Sequence, residues 1–128
     1  MNTSFPDWLE SWALAHGVSL DAARRSGRLA IAVDNMRILL SRHNAHSWLV
    51  QARVIDLPDD VRLREAIVEK AATAATARMA VSASALVVDP ERSALWLQTS
   101  LAPDAGVAAL EACLERVAND IEFWRAML

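Results

Sequence analysis

One thiol and three imidazoles are the first places to look for chemistry in this 128-residue chain. Cys113 could act as a nucleophile, served by His16, His43 or His46. Its setting argues otherwise. Cys113 flanks an apolar helical stripe, where a small buried thiol is ordinary packing, and a reactive thiol needs a polar, electropositive niche. His43 and His46 stand three apart, and Asp34 or Asp56 could join them on a metal ion. Yet His43-Asn44-Ala45-His46 is expected at a hairpin tip, where solvated polar residues are the rule. No third ligand stands at a zinc-like spacing. His16 is expected near a helix C-terminus, where it suits the negative end of the dipole. Asp59 and Asp60 suit a helix start, and Glu111, Glu115 and Glu122 lie off the apolar stripe as a solvated face. Phosphate-loop, dinucleotide, zincin and nucleophile-elbow motifs are absent from the sequence. With three glycines there is little from which to build a phosphate loop. The residues therefore predict no catalytic residue, no cofactor site and no metal site, and the chain is not expected to be an enzyme.

Composition narrows the partners. The length suits one domain, and a 54% apolar content supports a packed core and excludes a disordered chain. A net charge of −3 argues against nucleic acid, whose phosphates are normally met by a Lys/Arg excess. Lys70 is the only lysine, so arginine supplies nearly all the positive charge. The segment Met1–Asp7 lacks the features of a signal peptide. No apolar run is long enough to span a membrane. A single cysteine permits no internal disulfide, which fits a reducing, cytosolic setting.

The hydrophobic period changes several times along the chain, and each change marks an element. Phe5, Trp8, Leu9, Trp12, Ala13 and His16 fall at spacings of three and four, predicting a helix over 5–16. Ser4 or Thr3 could cap it, and Gly17 could stop it. Residues 18–27 stay open between a helical turn and a loop. Period-two alternation then predicts strands over 28–33, 36–43 and 47–55, with Asp34-Asn35 as a tight turn. Pro58-Asp59-Asp60 opens a helix over 58–80, whose second half is mostly Ala and Thr. Strands are predicted over 83–89 and 94–101, joined by the turn Asp89-Pro90-Glu91-Arg92. Val107, Leu110, Leu114, Val117, Ile121, Trp124 and Leu128 then form a sustained stripe, predicting a helix over 104–128. The expected fold is α+β, an antiparallel sheet flanked by three helices in one domain over 1–128, in the order α-β-β-β-α-β-β-α.

The surplus in this sequence is apolar. Trp8, Trp12, Trp48, Trp96 and Trp124 are hard to bury together in 14.0 kDa. Trp96 is out of phase with Leu95 and Leu97; if that pair points inward, Trp96 points outward. An exposed apolar patch on a soluble domain marks an interaction site. The Ala-rich helix adds a candidate face for self-association.

At this point the chain resembles the class I type III secretion chaperones, the Tir-chaperone-like family of Gram-negative bacteria. The likeness spans almost the whole chain. It rests on size, acidity, element order, Leu29 to Val33 with the Asp34-Asn35 turn and Met36 to Leu40, the pair Ala83–Asp89 and Ala94–Leu97, and the ending Trp124-Arg125-x-x-Leu128. The resemblance implies a homodimer in the bacterial cytoplasm, joined largely through the helix at 58–80 and a nearby strand. It implies binding of an N-terminal segment of secreted effectors, kept soluble and export-competent as a virulence function, without cofactor or ATP. Secretion-apparatus components are further implied partners. Trp8, Trp12, Leu39, Trp48 and Trp96 are the expected client-facing residues. Ile67, Ala71, Ala74, Ala75 and Arg78 are the expected dimer contacts. The alternative is a regulatory or adaptor module on the same fold, which uses similar apolar grooves.

Overall fold

Alternation of apolar and polar side chains from Arg28 onward builds the centre of the molecule. The computed structural model describes residues 4–44, 46–91 and 93–128. Strands β1 (Arg28–Val33), β2 (Met36–Asn44) and β3 (Ser47–Asp56) form an antiparallel meander. β4 (Ala85–Val88) and β5 (Ala94–Leu101) form a second hairpin, which docks through β5 onto β3. The sheet order is β1-β2-β3-β5-β4, so β1 and β4 are the edges. The β1–β2 turn uses Asp34 and Asn35 at φ 48° and 66°. Both residue types tolerate the left-handed region that a two-residue hairpin turn demands.

Four helices cover one face of this sheet: α1 (Asp7–Ala15), α2 (Asp21–Ser26), α3 (Val61–Arg78) and α4 (Gly106–Met127). Their buried residues join Ile31, Ile38, Leu40, Val50 and Leu97 in one core. α4 does most of the covering. Leu110, Cys113, Leu114, Val117, Ile121 and Trp124 are all buried along its inner side. The C-terminal Trp-Arg pair now has a physical account. Trp124 enters the core, while Arg125 Nε and Nη2 donate to the carbonyls of Val54 and Arg53 at 2.8 and 3.1 Å. Those carbonyls sit at an irregularity in β3, between Arg53 and Ile55, where the pairing with β5 shifts register. One guanidinium thus satisfies acceptors that the irregular ladder leaves over.

The element bounds differ from the expectations at several ends. Residues 18–27 contain α2, closed by Gly27 at φ 76°. The helix expected at 58–80 runs Val61–Arg78, because Asp60 stays extended and its carboxylate accepts from Leu63 N at 3.0 Å. The helix expected at 5–16 begins at Asp7, with Pro6 as its cap and no side-chain capping bond, so Ser4 does not cap it. The helix expected at 104–128 runs Gly106–Met127. The strand expected at 83–89 is shortened to Ala85–Val88. Asp89 leaves it to accept hydrogen bonds from the Ser93 hydroxyl and from the amides of Ser93 and Ala94. The Ser93 hydroxyl bond is the main reason the Asp89 carboxyl titrates below its usual range. Because the folded pKa is depressed, this contribution is present at neutral pH and is lost as pH falls through the depressed value. Thr3, Ala45 and Arg92, invoked for a cap and two turns, lie outside the described residues.

Candidate polypeptide-binding surfaces

Among the described residues every helix lies on one side of the sheet, and no helix covers the other side. Its side chains follow from the register. Ala30 on β1 stands opposite Leu39 on β2, Leu39 opposite Gln51 on β3, and Gln51 opposite Gln98 on β5. One row along, Arg53 faces Trp96, and Trp96 faces Val87 on β4. Leu39, Leu49, Val87 and Trp96 are half-buried there, while Leu95 and Leu97 point the opposite way into the core. The Arg53 guanidinium lies 5.1 Å from the Trp96 ring centroid and holds Asp56 at 2.8 Å. The surface forms a trough of about 440 Å³ that draws lining residues from all five strands.

A second groove, of about 720 Å³, runs beside the edge strand β1. Trp12, Val18, Ile31 and Leu114 form its apolar wall, and Asp34, Glu111 and Glu115 stand on its rim. The His16 ring packs against Trp12 at a 42° tilt with centroids 4.7 Å apart, and its Nε2 lies 3.7 Å from Glu111. The edge of β1 offers unpaired backbone groups to an added strand, and the groove beside it offers space for alternate side chains.

The third surface is α3. This 18-residue helix buries one residue, Ala71. Ile67, Val68, Ala74 and Ala75 pack partly against the core. Val61, Leu63, Met79 and Val81 are exposed along and just beyond the helix, and Val88 is exposed on the neighbouring edge strand β4. Shallow grooves of about 370 and 580 Å³ flank the helix, one against Leu57 and Val88, the other against Met127. An Ala-rich helix with so little buried on its own chain leaves a broad apolar surface for something else to cover.

The sequence matches the Tir chaperone protein (CesT) family over residues 8–125. The chain belongs to this family. No curated protein matches its sequence. Among solved structures, the fold is similar to a chain of the ExsC–ExsE complex, with a TM-score of 0.67 and 18% identity over 94% of this chain and 90% of that one. It is also similar to a chain of the HopA1–SchA chaperone–effector complex, with a TM-score of 0.65 and 14% identity over 93% of this chain and 91% of that one. At such identities the likeness is one of fold.

The CesT-family fold sorts the expected site residues by burial. Trp96 and Leu39 share the open sheet face. Trp8 is half-buried, and its Nε1 donates to the Pro103 carbonyl at 2.9 Å, pinning α1 to the loop before α4. Trp48 is 1% exposed and lies in the core, while Trp12, 5% exposed, stands in the wall of the β1 groove. Trp48 is on the helix-covered face because it alternates with Leu49, and it stacks on Phe5 at 5.7 Å. Trp12 is largely enclosed as α1 packs on α4, and it contributes to the β1 groove wall.

Two of the expected dimer contacts are engaged within their own chain. Ala71 is 2% exposed against its own core. Arg78 is committed within the chain: Nη2 bonds Asp120 Oδ1 at 2.8 Å, and the guanidinium lies 3.8 Å from the Phe123 ring centroid. Ser82 donates to the other oxygen of Asp120, so this cluster ties the end of α3 to α4. Sequence reasoning missed Met79 and Val81 as surface apolar residues because they lie at the helix end, where period alone does not assign a face.

Among the described residues no three His, Cys, Asp or Glu side chains gather as a metal would require. Cys113 in this CesT-family chain is fully buried, and desolvation pushes its thiol above the ordinary value. Iodoacetamide at neutral pH should therefore label the native protein far more slowly than the urea-unfolded protein. Equal rates would show that the thiol reaches solvent in the folded state.

Proposed function

We propose that this protein is a type III secretion chaperone. In this reading it binds the N-terminal segment of a secreted effector in the bacterial cytoplasm and keeps it soluble and competent for export. Family membership over residues 8–125 supports the class of function. The observation that carries the rest is the helix-free sheet face, where Trp96, Leu39 and Val87 remain partly exposed with no covering element of their own chain. The HopA1–SchA structure is a chaperone–effector complex, and that likeness suggests an effector as the occupant here. An extended client gains main-chain hydrogen bonds along β1 and side-chain contacts in the groove beside it. The chain acts by binding alone and requires no cofactor.

A second copy of the chain covers α3 in this proposal, through Leu63, Val61, Met79 and Val81, with Ile67, Ala74 and Ala75 at the margin. A dimer presents two open faces and two β1 edges, so one client segment can bridge both protomers with a gain from effective concentration. Co-expression with a candidate secreted effector from the same bacterium tests the function. The effector's N-terminal segment should co-purify and become soluble. An effector equally soluble without the chaperone would overturn the reading.

A further inference from the structure

The open sheet face is electrostatically uneven. Arg28, Arg37 and Arg53 project from its strand rows, placed there by their alternation with buried neighbours. Arg53 is occupied by Asp56, and Asp89 and Glu91 rim the same end of the trough. Arg28 and Arg37 are different. Both are exposed, and neither has a carboxylate within ion-pair distance among the described residues. They bracket Ala30 and Leu39 on the β1–β2 hairpin, because Arg28 stands opposite Ser41 and Arg37 opposite Ala32. Two residue pairs on either side of one apolar centre place their Cα rows roughly 14 Å apart. A chain with net charge −3 therefore carries a basic, apolar-centred strip on one face.

The geometry also restricts what can lie there. Sheet hydrogen bonds run in the plane of the sheet, so a segment laid across its face finds no backbone partners. A helix satisfies its own N–H and C=O groups, so it suits such a face better than an added strand. We infer that the open face takes an amphipathic helix of the client, with an apolar stripe on Leu39 and Trp96 and acidic side chains that meet Arg28 and Arg37. This rests on the chaperone reading and names the chemistry of the client. The paired amides of Gln51 and Gln98 at the centre donate and accept alike, so they add no charge preference. At the β1–β2 end the sign of the flanking charge is set by the two arginines, while Asp89 and Glu91 rim the Trp96 end.

The test uses a labelled synthetic Leu-faced helix of about five turns with Glu along its flank, and a twin with Lys in those places. Fluorescence anisotropy should show the Glu helix binding about tenfold more tightly at low salt, with the gap closing near ~1 M salt. Arg28→Glu/Arg37→Glu should reverse the preference, and Arg28→Lys/Arg37→Lys should keep its sign. Trp96→Ala should weaken both helices. Equal affinity for the two helices, or an unchanged preference in the reversal variant, overturns the inference. These arms need no exported client. A native effector segment that binds the wild type while the synthetic helices show no charge preference would sink the charge rule and leave the chaperone function standing.

Discussion

Trp48→Ala should destabilise the protein by about 3–5 kcal/mol, the usual range for truncating a buried aromatic. Trp48 is 1% exposed and stacks on Phe5 with ring centroids 5.7 Å apart and planes 22° apart. Truncation empties a volume beside Phe5 in the core between β3 and the entry to α1. Small domains are stable by only ~5–15 kcal/mol, so this loss is a large part of the total. Thermal unfolding followed by far-UV circular dichroism should fall by roughly 10–20 °C. Trp96→Ala is the internal control. It removes a half-buried ring from the helix-free face, so its cost should stay near 1 kcal/mol while client binding drops. Equal destabilisation by the two substitutions would mean that Trp96 is part of the core, and the open-face reading would fail with it.

A Leu63→Glu/Met79→Glu double substitution should convert a dimer of twice 14.0 kDa into a monomer of 14.0 kDa. Leu63 is 59% exposed and Met79 78% exposed, one near the start of α3 and one at its end. On a free surface, either change is nearly neutral. Inside an apolar interface, an unpaired charge costs several kcal/mol, and the two-fold relation of a dimer applies each cost twice. Light scattering after size exclusion reads the mass directly, with circular dichroism as the check on folding. Arg78→Ala makes a useful contrast. It breaks the Asp120 clamp inside one protomer, so it should lower the melting temperature more than it shifts the mass. An unchanged mass in the double variant would move the self-association surface away from α3.

The tryptophans show how far residue pattern carries in this chain. Alternation along β5 was enough to place Trp96 opposite to Leu95 and Leu97, since strand geometry allows only two faces. The Asp34-Asn35 turn, the succession of strands along the chain and the stripe of α4 were equally legible, because each depends on residues close in sequence. The CesT-family likeness was legible for the same reason, as it resides in the succession of these local periods. The fates of Trp12 and Trp48 were not. Both lie on apolar faces by period, and period does not say whether another element covers that face. Only the packing of α1 on α4, and the stacking of Phe5 on Trp48, decided that these rings are enclosed.

The same division holds for the feature that opened the reading of this sequence. Its histidines, carboxylates and lone thiol carried no catalytic spacing, and composition already turned attention to the apolar surplus. Where that surplus becomes a surface was decided by tertiary structure. All four helices gather on one face of the sheet, so the other keeps Trp96 and Leu39 in reach of a partner. Ala71 and Arg78 are drawn inward to core and clamp, while Leu63, Met79 and Val81 stay outside. Local sequence determines which side chains share a face, because the backbone repeats every two or 3.6 residues. Which faces meet depends on contacts between segments far apart in the chain, such as α1 with α4 and Arg125 with β3, and no local period encodes them.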